Sequence, residues 1–587
     1  MIKELSKSVR EYKKASILTP IFVTLEVIME CIIPYITAEL VNEIQGGCEF
    51  MTIVYYGLVL VGMAFLSLLF GVLSGVVCAT ASCGFAKNLR HDMFERVQNF
   101  SFENIDKFQT SSLVTRMTTD VTNVQMAYMM IIRIAVRAPL MFVFSVVMAA
   151  LMGGMVSVIF AVVIPILAFV LFLIIRKAMP IFRKVFKKYD NLNNSVQENV
   201  KGMRVVKSFV REDYEKQKFK TAARDICGDF TRAERILAFN GPVMQFCLYA
   251  VMIFVLSFGS YTIITSTGSA MNVGQISAML NYSFMILSSL MMLSMVFVMI
   301  TMASESGKRI VEVLNEKSTI DNPENPITEI ADGSIRFSGV KFKYSEKAER
   351  YALENIDLSI KSGETIGIVG GTGSSKSTLI QLICRLYDVS EGSVCVGGKN
   401  VREYDVETLR NAVAVVLQKN ILFSGTIKEN LRWGNENATD EEMIEACKMA
   451  AADEFISSFP DGYDTYIEQG GANVSGGQKQ RLCIARALLK KPKILVLDDS
   501  TSAVDTHTDK LIRDGLKKYA PDTTKIIIAQ RTGSVEDADR IIVLDGGKID
   551  AVGTNDELLK NNAIYREIYT SQNKKNTDDA VKAVENA

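Results

Sequence analysis

Apolar residues run almost unbroken over about residues 17–41, 53–82, 126–151, 155–175, 241–265 and 276–303. Each run is near or above the roughly 20 residues a helix needs to cross a bilayer. The polar residues between them are unevenly distributed. The links Glu43–Thr52, Met152–Val156 and Thr265–Val273 carry no Lys or Arg, whereas Lys3–Lys14, Lys87–Arg116 and Arg176–Arg235 are basic. The excess of positive charge on alternate links predicts six spans with the basic links and both termini on the cytoplasmic side. The long basic links read as helix, so the spans are expected to continue into the cytoplasm. A cleaved signal is not expected, because the first apolar run is too long and no small-residue cleavage site follows it.

Beyond the sixth run the pattern changes. Asp321-Asn-Pro-Glu-Asn-Pro-Ile327 is rich in turn formers and breaks any helix. This predicts a membrane unit over 1–314, a linker over 315–330, a soluble unit over 331–571 and a polar tail over 572–587. Composition agrees: 587 residues, 49% of them hydrophobic, with a mean hydropathy of +0.19, are too many for one domain and too apolar for an ordinary soluble enzyme. The 65 basic and 65 acidic residues balance, and no nucleic-acid partner is indicated. The ten cysteines are scattered without C-x-x-C spacing, which points away from a disulfide framework or a zinc site.

The candidate chemistry lies in the soluble unit. Ile366-Gly-Ile-Val-Gly-Gly-Thr-Gly-Ser-Ser-Lys-Ser-Thr378 reads as a strand, a glycine-rich turn and the start of a helix, the context a phosphate-binding loop requires. Gly370, Gly371, Thr372, Gly373, Ser374, Ser375, Lys376, Ser377 and Thr378 would cradle the phosphates of ATP, with the Ser377 hydroxyl on Mg²⁺. Lys493-Ile-Leu-Val-Leu-Asp498 reads as a buried strand ending in a carboxylate, a second Mg²⁺ partner.

Between these motifs lies Asn473-Val-Ser-Gly-Gly-Gln-Lys-Gln-Arg481, and here the chain resembles the ATP-binding cassette (ABC) transporters. The resemblance covers essentially the whole chain and implies a type IV exporter-like membrane domain of six helices followed by an α/β P-loop nucleotide-binding domain. It implies that Ser475, Gly476, Gly477 and Gln478 cap ATP held by the P-loop of a partner chain. It also implies that Tyr344 stacks on adenine, that Gln418 reaches Mg²⁺ and the attacking water, that Ser502-Ala-Val-Asp505 is the D-loop, and that Glu468 lies in the loop sensing the membrane domain. Transverse helices that dock on nucleotide-binding domains are placed by the same resemblance at Ser111–Met117 and Phe209–Tyr214.

Three positions depart from the family pattern. Asp499 stands where a catalytic Glu is usual, Gln530 where a histidine is usual, and Ser375 where glycine precedes the P-loop lysine. A carboxylate shorter by one methylene is off the line of attack, and a misplaced general base typically costs about 10²- to 10⁴-fold in rate. Glutamine can hydrogen-bond a phosphate but carries no charge. Asp499, Gln530 and Gln418 are thus expected to form a degenerate site that holds ATP and turns it over slowly, while the intact Ser475–Gln478 loop completes a competent site on a different half-transporter. The implied protein is one subunit of a heterodimeric bacterial plasma-membrane exporter of amphipathic drugs or lipids. A homodimeric exporter, an exporter-fold importer of metal chelates and a regulatory ATP-binding subunit stay open as alternatives.

In the membrane unit the sixth run is rich in Met: Met279, Met285, Met291, Met292, Met295, Met299 and Met302. Flexible, polarisable Met suits a surface that repacks around apolar ligands, and equally fills helix contacts. Met291, Met295 and Met299 are the substrate candidates from this set. Glu26 and Glu30 in the first span and Arg133 and Arg137 in the third are costly in lipid and should face protein, water or each other. Glu26 is the candidate for meeting a cationic substrate, with a buried ion pair as its rival; the two arginines are expected to be structural.

Overall fold

The computed structural model describes residues 1–572 apart from 109, 267–270, 347 and 501–503, and it leaves undescribed the side chains of 183, 186, 187, 190, 302 and 519. Ser502 and Ala503 of the expected D-loop, the Met302 side chain and the tail from 573 therefore lie outside the described residues. The chain forms two compact units. One comprises Met1–Asn99 with Phe108–Glu316, and the other Phe100–Lys107 with Lys317 onward.

The first unit is helical throughout. Its long elements are Lys13–Gly46, Phe50–Gln98, Val121–Ile132 continued by Ile134–Gly153, Val158–Lys201, Glu212–Leu237 continued by Asn240–Ser266, and Val273–Asn315. Gly47 in the left-handed region ends the first, and a reciprocal capping box between Asn272 and Gln275 starts the last. Phe50–Gln98 has 49 residues, about 74 Å at the helical rise and more than twice the hydrocarbon thickness, as expected of spans that run on into water.

Five uninterrupted helical runs are long and apolar enough to cross a membrane. The third, Thr110–Phe182, has 73 residues, about 110 Å if straight. It holds two of the six predicted spans, divided at the 3₁₀ turn Gly154–Ser157 where Gly154 takes φ +48°. The most apolar window of Phe50–Gln98 is only 6% buried. Apolar surface on that scale requires a lipid or protein cover.

The first predicted transverse helix needs correction. Ser111–Met117 falls in the helix Thr110–Thr115 and the π turn Arg116–Asp120. It is held within the first unit by Arg116, which donates to the Arg309 carbonyl at 2.9 Å and pairs with Glu312 at 2.8 Å. The helix associated with the second unit starts nearer the N-terminus, at Phe102. There the Tyr387 hydroxyl donates to Asp106 at 2.7 Å, and Asn104 Nδ2 donates to the Lys317 carbonyl at 3.0 Å. Its start is fixed by a reciprocal cap: Ser101 N donates to Asn104 Oδ1 at 3.1 Å and Asn104 N to Ser101 Oγ at 3.4 Å.

The second unit is α/β. Its main sheet has six strands in the order Lys548–Gly553, Arg540–Asp545, Thr365–Gly370, Thr524–Ile528, Ile494–Asp498, Val413–Val416. All neighbours run parallel except the first pair. A parallel sheet covered on both faces needs near-continuous apolar strands, and Ile494–Asp498 and Thr524–Ile528 are buried at every position. A four-stranded antiparallel sheet, Leu353–Ile360, Ile335–Phe342, Glu391–Val396 and Lys399–Asn400, lies beside it. Its residues share one core with Ile366, Ile368 and Leu379 of the phosphate-loop region. The loops after Gly370, Asp498 and Ile528 leave the same ends of three adjacent parallel strands, the usual place for a ligand in such a sheet.

Candidate functional site

The strand Thr365–Gly370 feeds the helix Lys376–Ile383 through the glycine-rich turn. A Cβ on Gly370 would lie 2.2 Å from the Leu544 carbonyl oxygen, so only glycine lets the strand pass its neighbour before turning. Lys376 Nζ is held over the turn by the carbonyls of Gly370 at 2.9 Å and Gly371 at 2.8 Å. Burial pushes the ammonium below the usual lysine range, against the raising influence of Asp498 and Asp499. Ser375 occupies the left-handed region at φ +69°. Glycine adopts that conformation freely, whereas an L-residue there costs about 1–2 kcal/mol.

Ser377 Oγ donates to Asp498 Oδ2 at 2.8 Å across 121 residues of sequence. Burial raises the Asp498 carboxyl above the usual aspartate range, opposed by the Ser377 hydrogen bond. A desolvated carboxylate beside a hydroxyl is an all-oxygen pair that fits Mg²⁺.

Asp499 takes φ +49°, a conformation Asp accepts better than most residues. Its Oδ2 accepts from Gln418 Nε2 at 3.2 Å and from Gln530 Nε2 at 3.0 Å. The three residues that depart from or flank the expected catalytic pattern therefore meet on one carboxylate oxygen. Sequence reasoning missed Gln572, whose side chain donates to the Gln530 carbonyl at 2.6 Å and accepts from Thr532 N at 2.8 Å. It clamps the Gln530 segment from 40 residues away, and no local motif could signal it.

Tyr344 is 46% exposed, and its hydroxyl lies 2.9 Å from Thr378 Oγ1 and donates to Gln381 Oε1 at 2.9 Å. The ring is thus fixed beside the P-loop helix. Ser475 begins the helix Gly476–Leu489 with a capping box: Ser475 Oγ accepts from Gln478 N at 3.3 Å, and Ser475 N donates to Gln478 Oε1 at 2.8 Å. Ser475 and Gly476 are exposed, which leaves a helix N-terminus of 14 residues facing outward, a place where anions bind well. Glu468 N donates to Asn473 Oδ1 at 3.0 Å, which ties that loop to the same segment. Of the D-loop, Asp505 caps the helix Thr506–Tyr519 through Thr508 N.

In the membrane unit Arg137 pairs with both Glu26 and Glu30, bonding Glu30 at 2.8 and 2.9 Å. Glu26 is 6% exposed and also accepts from Ser74 at 3.4 Å. A Cβ on Gly71 would already lie 3.1 Å from its carboxylate. Of the two readings of Glu26, the structure shows the ion pair, with Arg137 as the partner. Met291, Met295 and Met299 line a cavity of about 460 Å³, and Glu26 does not.

A family model described as "ABC transporter transmembrane region" matches residues 16–300, and one described as "ABC transporter" matches 353–502. The chain is 37% identical to an uncharacterized ABC transporter ATP-binding protein of Bacillus subtilis, over 93% of this chain and 94% of the relative. It is 36% identical to another of Mycobacterium tuberculosis, over 97% of each. Among solved structures it is similar to a bacterial Atm1-family ABC exporter with ATP bound, with a TM-score of 0.83, 24% identity, and coverage of 96% of this chain and 98% of that one. The chain belongs to the ABC transporters: it is a membrane half-transporter of the exporter fold that joins its helical unit and its ATP-binding unit in one polypeptide.

Proposed function

We propose that this chain is the degenerate-site subunit of a heterodimeric exporter of amphipathic compounds, acting at the plasma membrane with both termini in the cytoplasm. The observation that carries this reading is Asp499. Its carboxylate is short, sits on a left-handed backbone and is held on one oxygen by two glutamine amides. A general base must reach the proton of the attacking water, and neither Gln418 nor Gln530 can accept that proton as an imidazole would. The residues that bind are present: Lys376 and the turn 370–378 for phosphates, Tyr344 for adenine, and Ser377, Asp498 and Gln418 for Mg²⁺, which when bound neutralises phosphate charge. The exposed Ser475–Gln478 helix start would cap ATP on the partner, where hydrolysis is fast.

Closure of the two nucleotide-binding units would be passed to the spans through residues Phe100–Lys107 and through the turn Phe209–Tyr214. In place of the transverse helix expected there, the segment is a turn leading into the helix from Glu212, and its two apolar residues face outward, Phe209 73% and Val210 81% exposed, as a segment docking on a partner chain would be. ATP retained at the degenerate site favours the joined state while the partner's site cycles.

The test is purification of the native assembly through a tag on this chain. The proposal expects a second half-transporter to co-purify. Ser475→Arg should lower turnover of the assembly by about 10² or more, on the scale of losing a catalytic-site donor, and Asp499→Asn should change it by no more than about twofold, since an idle base contributes little. Isolation of this chain alone, with turnover abolished by Asp499→Asn, would show a homodimer with working sites instead.

A further inference from the structure

The strand Thr524–Ile528 leads into the segment that carries Gln530, and Ala529 N still donates to the Ile368 carbonyl of the neighbouring strand at 3.3 Å. Beyond it Arg531 stays extended, at φ −98° and ψ 124°, so the Gln530 carbonyl and the Thr532 N–H point to the same side. A neighbouring parallel strand would bond both groups from a single residue. Here one side chain takes that place. Gln572 Nε2 donates to the Gln530 carbonyl at 2.6 Å, and Gln572 Oε1 accepts from Thr532 N at 2.8 Å and from Thr532 Oγ1 at 3.2 Å. A carboxamide offers donor and acceptor on one planar head, whereas a carboxylate lacks the donor and an alkyl group lacks both.

The helix that presents this side chain, Ala563–Gln572, is itself fixed near its start. Tyr565 is fully buried in the core that also holds Val535, Ile541 and Val543. Its N donates to Asn562 Oδ1 and its hydroxyl to Asn555 Oδ1, each at 2.8 Å. Thr532 is buried as well, so water has little access to its N–H in exchange for the Gln572 oxygen. Two holds therefore meet at residue 530: its main chain is bonded by the helix Ala563–Gln572, and its side-chain amide donates to Asp499 Oδ2 at 3.0 Å. Because Gln572 bonds only the main chain of residue 530, its hold is the same for any side chain there.

We propose that Gln572 is a positioning residue for ATP hydrolysis. It fixes the main chain over 530–532 and so aims the side chain at 530 at the loop of Asp499. Its contribution is to rate rather than to ATP affinity, since it touches neither the P-loop nor Tyr344. The inference rests on position 530 taking part in turnover, as the nucleotide-site reading holds.

The experiment compares the full native chain in lipid nanodiscs with the form carrying Asp499→Glu and Gln530→His, each with and without Gln572→Leu. Release of labelled phosphate from ATP measures slow and fast turnover alike. In whichever of the two forms turns over faster, Gln572→Leu should lower kcat about tenfold, part of the about 10²-fold that a misplacement of about 1 Å can cost, and leave KM and ATP affinity within about twofold. Gln572→Glu keeps the acceptor for Thr532 N and loses the donor to the 530 carbonyl; it should lower kcat in the same sense while ATP binding and the thermal midpoint persist. With Gln530→Ala in that form, Gln572→Leu should lower kcat by no more than about twofold further, because the two residues act as one unit. A kcat unchanged by Gln572→Leu, or an equal loss with and without the side chain at 530, would overturn the positioning role; the second result would make Gln572 a support of the fold alone. Brisk turnover by the native chain, unimproved by the two changes, would sink the degenerate-site reading alone, since the Gln572 comparison is then read on the native chain.

Discussion

Each unit of the molecule contains a pair of carboxylates, and the two pairs are held in different ways. Glu26 and Glu30 converge on one guanidinium, so Arg137 offsets in direct ion pairs part of the charge that lipid would not tolerate. Asp498 accepts from the Ser377 hydroxyl and Asp499 from the Gln418 and Gln530 amides, and burial pushes Asp498 above the usual aspartate range. The first pair is closed by the protein and holds helices together. The second is held by hydrogen bonds, with the Lys376 ammonium acting on it through space rather than by a direct ion pair, and it stands where the phosphate-binding turn meets the strand ends.

That contrast can be tested by removing the groups on either side. Arg137→Met would strand the buried Glu26 carboxylate beside the half-buried Glu30, and the membrane unit should lose about 3–5 kcal/mol of stability, read as a fall in its thermal midpoint in lipid. Adding Glu26→Gln and Glu30→Gln should restore most of it; failure to do so would mean that Arg137 acts by packing rather than charge.

On the other side, Lys376→Ala should weaken ATP binding about tenfold to a hundredfold, the worth of one charge-assisted contact, and leave the fold intact. Equilibrium binding to the purified chain measures this, and unchanged affinity would place the nucleotide elsewhere. Smaller effects come from the backbone. Ser375→Gly relieves a left-handed serine at a cost in unfolded-chain entropy, for a net gain of about 0.5–1 kcal/mol in the nucleotide-binding unit. A loss of stability would show that the serine side chain is needed there.

A change of similar size is expected at Glu364, 12% exposed in its side chain and bonded by Arg540 Nε at 2.5 Å and Nη2 at 2.8 Å. The Arg540 guanidinium holds its carboxyl below the usual range against the effect of burial. Because the folded value is lowered, the pair stabilises fully above the unfolded glutamate pKa, about 4.3, and that contribution is lost as pH falls through the lower folded value. Glu364→Gln should cost about 0.5–1 kcal/mol at neutral pH and flatten the acid limb of the stability curve. An acid limb of unchanged slope would remove Glu364 from the account.

The parts legible in the sequence are those that depend on neighbours along the chain. Apolar runs gave the spans, and Gly370–Thr378 and Ser475–Gln478 stand in the strand and helix contexts their composition implied. The helix start at Phe102, which the resemblance placed at Ser111, was not read from the sequence; its Ser101–Asn104 cap came only with the structure. What was not legible depends on contacts across long separations or on the backbone. The Arg137–Glu26 pair spans 111 residues, the Gln572 clamp spans 40, and no residue type announces the positive φ of Ser375 or Asp499. Those backbone angles turn two conservative-looking replacements into a physical argument about the site.

The central claim is that this chain's own nucleotide site holds ATP without an effective base. The most direct measurement is ATP turnover by the chain purified alone in lipid, beside Asp499→Glu combined with Gln530→His, with ATP binding measured in both. The account predicts equal binding, slow turnover by the native chain and a gain of about tenfold or more in the double variant, part of the about 10²- to 10⁴-fold a well-placed base supplies. Brisk turnover by the native chain, unimproved by the two changes, would contradict it.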